Sequence, residues 1–240
     1  GTNASAGSVD ETLLSVSDDD GSSGQIVFQG FETSGDTWNY TNSGGGPSST
    51  NSGTPNNDRR KSGARSFQRA NGAATITFDN GGSGVDISTA TNVVVDIWSA
   101  GISGNGSNGM DNNDDIEVYV SQTATFGATP DITIDGTSNL KYGMSGTGVV
   151  STTAGTPISY NYPSGGTKSG NDAKSNLKVN IPDAWNTVFV KIVTQSNSSN
   201  EIWCIDDVKL TGDICLVAAP EINVKGNATD IAGVIQRILG

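Results

Sequence analysis

The sequence predicts an all-β fold, an antiparallel β-sandwich built from short strands. Segments in which apolar and polar residues alternate recur at fairly even spacing along the chain, and such alternation is typical of strands with one buried face. The composition, with 32 glycines in 240 residues and only 16% charged residues, favours strands joined by long polar loops. A helical stripe occurs over Asp230–Leu239, but this segment is short and equally suits a severed strand or a linker.

The first predicted strand begins at Gln25 and contains Ile26-Val27-Phe28, with Phe31-Glu32 close behind. A loop rich in Gly, Ser, Asn and Pro then runs from Thr33 to about Gly63, and loops of such length are more often functional or mobile than structural. Further strands are predicted at Ala64–Arg69, Ala73–Asp79, Asn92–Trp98, Asp115–Ser121, Asp131–Asp135, Ile158–Tyr162, Asn176–Ile181, Thr187–Thr194 and Glu201–Leu210.

Composition divides the chain into three parts. Residues 1–24 are small and polar, which predicts a leader or linker with one possible edge strand. Residues 25–215 hold the predicted sandwich, and residues 216–240 are predicted to be a linker or the start of a following module.

Alternation also predicts which side chains share a face, because neighbours along a strand point to opposite sides of its sheet. The odd positions of Val93–Trp98 and the even positions of Ile116–Ser121 are aliphatic, so we expect these faces to form the core between two sheets. The opposite faces are mixed and are expected to meet solvent or a groove. Each carries a carboxylate and an aromatic ring: Asp96 and Trp98 on one strand, Glu117 and Tyr119 on the other.

Charge and the lack of histidine exclude several function classes. A chain without histidine has no Ser-His-Asp or Cys-His nucleophile and no His-ligated zinc. The net charge of −12 opposes binding to nucleic acid, since phosphate backbones are anionic. No window approaches the roughly 18 to 20 consecutive apolar residues of a membrane span, so direct membrane insertion is not expected.

Two cysteines, Cys204 and Cys215, flank a predicted turn at Thr211-Gly212-Asp213. The sequence predicts that they close a small loop as a disulfide, with two buried free thiols as the alternative. Low charge, abundant Asn, Ser and Thr, and a disulfide together favour an oxidising, extracellular setting.

Three stretches carry a resemblance to a known family: "IVFQGFETSGDTWNY", "SGARSFQRANGAATITF" and "NEIWCIDDVKLTG". Taken in this order, over about residues 25–212, they resemble the jelly-roll modules of secreted bacterial proteins, the galactose-binding-like and MAM-like group. The resemblance implies a jelly-roll sandwich in which the early "FE" strand and the late "IDDV" strand lie near each other. It also implies calcium bound between the two ends of the module.

The tail "APEINVKGNATDIAG" is similar to the opening of a choice-of-anchor immunoglobulin-like repeat of large Bacteroidetes surface proteins. This resemblance implies that the chain is part of a longer multi-modular protein that reaches the cell surface or the medium.

The first candidate metal site combines Glu32, Asp36, Asp206 and Asp207. Calcium takes six to eight hard oxygen ligands, which carboxylates from distant strands and backbone carbonyls supply without histidine. Strand alternation allows only one of Asp206 and Asp207 to face inward, and that one needs a cation or several donors. The alternative is a carboxylate paired by hydrogen bonds or by a lysine at the end of a strand.

A second acidic run, Asp111-Asn112-Asn113-Asp114-Asp115, has oxygen ligands at alternate positions, as calcium loops do. The Gly and Glu that an EF-hand requires are absent, so the favoured interpretation is a solvated acidic turn that enters a strand.

Aromatic residues suggest a sugar-binding site, since flat rings stack on sugars while polar neighbours bind the hydroxyls. Asp96 and Trp98 beside Glu117 and Tyr119 form the best such constellation, against the alternative that the rings are ordinary packing. The rings are Trp38, Tyr40, Trp98, Tyr119, Tyr160, Tyr162 and Trp185, with Trp185 and Trp203 expected in the core.

The sequence therefore predicts a secreted or cell-surface, non-catalytic and calcium-stabilised module that binds carbohydrate or mediates adhesion. One alternative is a glycan-active hydrolase or lyase, for which Asp96 and Glu117 are the candidate carboxylates if their strands are neighbours. The other is a structural spacer that binds no ligand except metal.

Overall fold

A computed structural model describes residues 23–50, 59–103, 110–111, 113–136, 148–161 and 174–214. These residues all belong to one compact unit, residues 21–215. The predicted leader, the helical stripe at Asp230–Leu239 and the tail that resembles an immunoglobulin-like repeat lie outside the described residues. The three-part division of the chain therefore stays a prediction.

Within the described residues the fold consists of strands, without a helix. Accordingly, this part of the chain holds no helix with the length and hydrophobicity needed to cross a membrane. The strands are β1 (Ser23–Gln29), β2 (Thr41–Ser43), β3 (Gly46–Ser48), β4 (Ser66–Ala70), β5 (Ala74–Phe78), β6 (Val85–Asp86), β7 (Ala90–Ser103), β8 (Asp115–Ser121), β9 (Ile132–Asp135), β10 (Val149–Thr153), β11 (Ile158–Asn161), β12 (Lys174–Asn180), β13 (Thr187–Gln195) and β14 (Glu201–Ile214).

The strands form two sheets that pack face to face as a jelly-roll sandwich, which confirms the predicted fold class. The first sheet has the order β10-β12-β7-β14-β4-β3, with β1 also paired to β14. The second has the order β11-β9-β8-β13-β5-β2, with β6 also paired to β13. The pairing is antiparallel except at one edge of each sheet, where β10 pairs with β12 and β11 pairs with β9 in parallel.

The aliphatic faces predicted for two strands do form the core. Val95 and Ile97 on β7 are fully buried, as are Ile116 and Val118 on β8. Full burial of such a side chain contributes about 1.5 to 3 kcal/mol relative to leaving it exposed, so these faces hold the two sheets together. Because β7 belongs to the first sheet and β8 to the second, their mixed faces point away from the core on opposite sides of the sandwich.

The predicted loop after Phe31 is largely built into the fold. Phe31, Trp38 and Phe78 are buried, and the Trp38 and Phe78 rings have centroids 4.9 Å apart. The loop also contributes β2 and β3, which pair with β5 and β4. The part of this segment that the structure describes is therefore structural, contrary to the expectation of a functional or mobile loop; residues 51–58 lie outside the described part.

The last strand corrects the interpretation of the cysteines. Thr211-Gly212-Asp213 lie within β14, so the predicted turn between the cysteines is wrong. A strand rises about 3.3 Å per residue, which places Ile214, at the end of β14, roughly 30 Å along the strand from Cys204. A disulfide requires Cα atoms within about 7 Å, and by Ile214 the strand has carried the chain well beyond that distance from Cys204. Cys204 is buried, and Cys215 lies outside the described residues.

Candidate functional site

A groove of about 400 Å³ opens beside the end of β8, a strand of the second sheet. It is bounded by the end of β8, the loop that follows β8, the turn between β10 and β11, and the segment before β13. Volumes of about 300 to 1,000 Å³ are usual for small-molecule sites. Its lining residues are Tyr119, Val120, Ser121, Gln122, Thr123, Gly127, Thr129, Asp131, Gly155 and Trp185.

Tyr119 lies at one wall of the groove and is held from two sides. Its hydroxyl donates a hydrogen bond of 2.6 Å to Glu117 Oε2, and Lys191 Nζ lies 3.7 Å from the ring centroid. Burial, followed by the hydrogen bond and charge of Glu117 and by the charge of Asp115, raises the pKa of Tyr119 to about 12. Because Lys191 covers one face of the ring, that face is not open to a ligand.

Trp185 is the other aromatic ring of the groove and is half-buried, packed at the edge of the core. Sequence reasoning assigned it to the core. Its indole joins a wall that also presents polar side chains from the loop after β8, among them Gln122, Thr123 and Thr129. The groove therefore combines a partly exposed flat ring with hydroxyl and amide groups.

Asp131 fixes the shape of the groove rather than offering free acceptors to it. Its Oδ2 accepts a 2.7 Å hydrogen bond from the N–H of Val120, and its Oδ1 accepts one of 2.7 Å from the N–H of Gly155. The carboxylate thus joins β8 to the turn between β10 and β11. Hydrogen bonds from backbone N–H groups to a buried carboxylate are among the stronger ones in proteins.

The other half of the predicted sugar site, Asp96 with Trp98, lies on the first sheet. Trp98 is 3% exposed, so its ring is not open to a ligand. Asp96 Oδ1 accepts a hydrogen bond from Asn176, and Oδ2 lies 3.4 Å from Lys178 Nζ and 3.8 Å from Lys209 Nζ. This carboxylate is thus paired with lysines on both neighbouring strands, β12 and β14.

The structure consequently does not bring Asp96 and Trp98 together with Glu117 and Tyr119. The two pairs project from different sheets on opposite sides of the sandwich. Sheets pack about 10 Å apart, and both carboxylates point away from the space between them, so their separation exceeds the roughly 9.5 Å limit of an inverting glycosidase. Asp96 and Glu117 do not form a catalytic carboxylate pair.

The residues predicted to hold calcium lie around the segments that follow β1 and precede β4, and at a bulge in β14. Their oxygens accept hydrogen bonds from N–H and O–H donors in the structure. Asp36 accepts from the N–H groups of Gly30 and Glu32, and Glu32 Oε1 accepts from those of Ala64 and Arg65. These hydrogen bonds fix the segments around Glu32, and because a carboxylate has about four lone-pair sites, the donors do not by themselves exclude a cation.

The late acidic pair behaves as alternation predicted: Asp206 is fully buried and Asp207 is not. Asp206 Oδ2 accepts hydrogen bonds from the N–H groups of Lys61 and Ser62, and Asp207 accepts one from the Ser62 hydroxyl. Burial raises the pKa of Asp206 to about 7 despite these donors. The inward residue therefore has several hydrogen-bond donors, one of the two arrangements that the sequence argument allowed.

A different acidic cluster does assemble. Asp111, Asp114 and Glu201 each offer a carboxylate oxygen, and these oxygens all lie within 4.8 Å of one another. Among the described residues this is the group of acidic side chains that can hold a metal ion. Asp114 and Glu201 are buried, whereas Asp111 is partly exposed.

The electrostatics of this cluster are unfavourable for three ionised carboxylates. Burial, and after it the charges of Asp114 and Asp111, raises the pKa of Glu201 to about 7. Burial likewise raises the pKa of Asp114, although N–H groups of Asp111 and Asn197 act in the opposite direction. Two unit charges 4 Å apart repel by about 4 kcal/mol at an effective dielectric of 20, so a bound cation would stabilise the cluster considerably.

The sequence pattern draws attention to Asp111 and Asp114 of this cluster, but not to Glu201. The acidic run Asp111–Asp115 by itself favours a solvated turn. The sequence pattern predicts Glu201 only as the first residue of a strand. The available signal is a glutamate directly before the apolar run Ile202-Trp203-Cys204-Ile205. Its partner residues lie about 90 positions earlier, so only the fold reveals the contact.

Comparisons with known proteins give matches among solved structures. No protein-family model and no curated protein matches the chain. A structure of TmCBM61 in complex with β-1,4-galactotriose is 11% identical with a TM-score of 0.40, over 72% of this chain and 86% of that one. The K3 cleaved adhesin domain of Lys-gingipain from Porphyromonas gingivalis W83 is 14% identical with a TM-score of 0.42, over 79% and 98%. A cyclase from Fischerella sp. TAU is 11% identical with a TM-score of 0.39, over 81% and 100%.

Proposed function

We propose that this chain is a non-catalytic accessory module that binds carbohydrate or mediates adhesion through a glycan. The observation that carries the proposal is the groove beside Trp185, in which a half-buried indole lies among polar side chains. The apolar C–H face of a sugar stacks on such a ring, while amide and hydroxyl groups bind its hydroxyls. The proposal therefore places the ligand site in this groove, and not at the predicted site formed by Asp96 and Trp98 with Glu117 and Tyr119.

Each wall of the groove has a distinct part in this proposal. Trp185 provides the stacking surface, since Lys191 covers one face of Tyr119. Gln122 is exposed and lies in the loop that lines the groove, so it is a hydrogen-bonding residue for sugar hydroxyls. Asp131 contributes by holding the groove in shape, because both of its oxygens already accept backbone hydrogen bonds.

The test is retention by soluble polysaccharides in affinity gel electrophoresis, with a panel that includes β-1,4-galactan, xylan and β-glucan. The wild-type chain is expected to be retarded by at least one of them. Trp185→Ala should lose that retardation, whereas Trp185→Phe, which keeps a flat ring, should retain most of it. Gln122→Ala should weaken binding, with Gln25→Ala as its matched control, because Gln25 is an exposed glutamine on β1 in the other sheet.

Two outcomes would contradict the proposal. Retardation that is unchanged in Trp185→Ala would move the glycan site elsewhere on the module. A wild-type chain that no polysaccharide retards would favour the spacer alternative, in which the module has no ligand except metal.

Calcium stabilisation is a second part of the proposal, as are a secreted or cell-surface location and a place in a longer multi-modular chain. An ion that binds the folded but not the unfolded chain stabilises the fold by mass action. Glu32, Asp36, Asp206 and Asp207 remain the predicted ligands, through the carboxylate lone pairs that their hydrogen-bond donors do not use. A thermal unfolding scan with calcium and with EGTA, combined with elemental analysis, tests this part separately from glycan binding.

A further inference from the structure

We infer that Asp111, Asp114 and Glu201 bind a hard divalent cation, calcium by preference, at a site outside the predicted ligand set. The inference gives a location to the calcium part of the proposed function and rests on that part alone. It is independent of the glycan groove.

Two separate segments of the chain bring the three carboxylates together. Asp111 and Asp114 belong to the segment that leads into β8, and Glu201 is the first residue of β14. Their carboxylate oxygens lie within 4.8 Å of one another, close enough to share one ion. Asn197, in the turn between β13 and β14, donates from its N–H to Asp114 Oδ1 and from Nδ2 to Asp111 Oδ1. The amide of Asn197 thereby helps to hold the two aspartates in place.

Glu201 supports a bound cation independently of this proximity. Glu201 is 1% exposed, and its Oε2 atom has no hydrogen-bond partner. A buried carboxylate oxygen without a donor is costly, and native proteins satisfy such an atom with a partner, an ordered water or an ion. The carboxylate of Glu201 is part of a group of oxygens that repel one another, so a cation is the partner that would satisfy it and reduce the repulsion.

The surroundings and the ligand atoms of the cluster indicate the kind of cation. The described ion pairs of this chain involve Asp96, and among the described residues no lysine or arginine is paired with the cluster. All of the ligand atoms are carboxylate oxygens, which are hard ligands, and the chain contains no histidine for zinc or copper. Calcium accepts six to eight oxygens in flexible geometry, whereas magnesium requires a near-ideal octahedron. A site shared between a loop and a strand end therefore suits calcium.

A cation at this point would link the two sheets. Asp111 and Asp114 precede β8 of the second sheet, and Glu201 opens β14 of the first. Bound calcium would thus fasten one end of the sandwich and raise the melting temperature of the module. Without the ion, the same three carboxylates would weaken that end.

The experiment uses the full chain stripped of metal, titrated with calcium alone by isothermal calorimetry and followed by thermal unfolding. The wild-type chain is expected to bind calcium and to melt at a higher temperature with calcium than with EGTA. Glu201→Gln should weaken binding at least tenfold and abolish the calcium-dependent shift. It should also melt higher than the wild type in EGTA, because it removes one of the repelling charges, and a merely misfolded variant would not do so.

Asp86→Asn is the matched control, since Asp86 is an exposed carboxylate on β6 and asparagine keeps the oxygen that accepts from the N–H of Ser88. It should bind calcium as the wild type does. Calcium binding that survives in Glu201→Gln but is lost in Glu32→Gln would overturn the inference and leave calcium stabilisation intact at the predicted ligands. A wild-type chain that binds no calcium at millimolar concentration would overturn both, while the polysaccharide test would still decide the glycan proposal.

Discussion

The ammonium group of Lys191 lies 3.7 Å from the centroid of the Tyr119 ring, and the two residues are directly opposite each other on β13 and β8. The same cation lies 5.1 Å from the ring centroid of Phe126, in the loop beside the groove. On its other side Tyr119 is fixed by its hydrogen bond to Glu117. This arrangement rigidifies one wall of the groove and leaves Trp185 as the ring available for stacking.

The pair of Lys191 and Tyr119 should be measurable as a coupling energy. A cation over an aromatic face contributes about 0.5 to 1 kcal/mol at partly exposed sites. In a double-mutant cycle of Lys191→Met and Tyr119→Leu, followed by urea unfolding, we expect coupling of about that size, since methionine keeps the apolar stem. Strictly additive effects would show that the ring and the cation are neighbours without a stabilising interaction.

Among the tyrosines that the structure describes, Tyr119 should ionise late. Its pKa is raised from 10.0 to about 12, chiefly by burial and then by Glu117. Between these values the unfolded chain releases a proton that the folded chain keeps, so unfolding releases a proton and stability falls as the pH rises from about 10 to 12. Absorbance at 295 nm should show a late phenolate step that Tyr119→Phe removes. Ionisation of all the tyrosines in one step near pH 10 would contradict this environment.

The sequence predicted strands and their core faces correctly where one face of a strand is buried. Burial of one face produces a regular alternation of apolar and polar residues, which can be recognised in the sequence. The alternation of Val93, Val95 and Ile97 predicted the core face of β7 correctly, because one face of that strand is apolar throughout. The short strands β2 and β3, with the sequences TNS and GPS, carry no such pattern. They are defined by backbone hydrogen bonds to β5 and β4, which composition does not show.

The candidate sites were harder to predict, since alternation assigns a face within a strand but not the sheet to which the strand belongs. β7 and β8 follow each other in the chain, yet they join different sheets, and Trp98 and Tyr119 are therefore far apart. Likewise, Glu201 meets Asp114 only because β14 returns beside the segment that leads into β8. Contacts of this kind depend on the path of the chain between the sheets.

Two tryptophans should differ sharply in their contribution to stability. Trp38 is 1% exposed and packs on Phe78, whereas Trp185 is half-buried at the groove. Replacing a fully buried tryptophan with alanine costs about 3 to 5 kcal/mol, so Trp38→Ala should lose that much free energy of unfolding in urea. Trp185→Ala should lose clearly less. A loss for Trp38→Ala as small as that for Trp185→Ala would mean that the segment between β1 and β2 does not belong to the core.

Asp131 holds the groove together, although it is not one of the residues proposed to bind the sugar. Both of its oxygens accept hydrogen bonds from backbone N–H groups, and the residue is 6% exposed. Hydrogen bonds to charged groups contribute about 1.5 to 3 kcal/mol each, so Asp131→Ala should destabilise the fold by about 3 kcal/mol or more. Asp131→Asn keeps one acceptor oxygen and should lose roughly half as much.

Hydrogen exchange distinguishes this role from a general loss of stability. In Asp131→Ala the amides of Val120 and Gly155 lose their acceptor, so they should exchange faster than amides elsewhere in β8, such as that of Val118. Polysaccharide binding should weaken as well, because the turn between β10 and β11 would no longer be fastened to β8. A stable Asp131→Ala variant with unchanged exchange at both amides would show that the groove is held by other contacts.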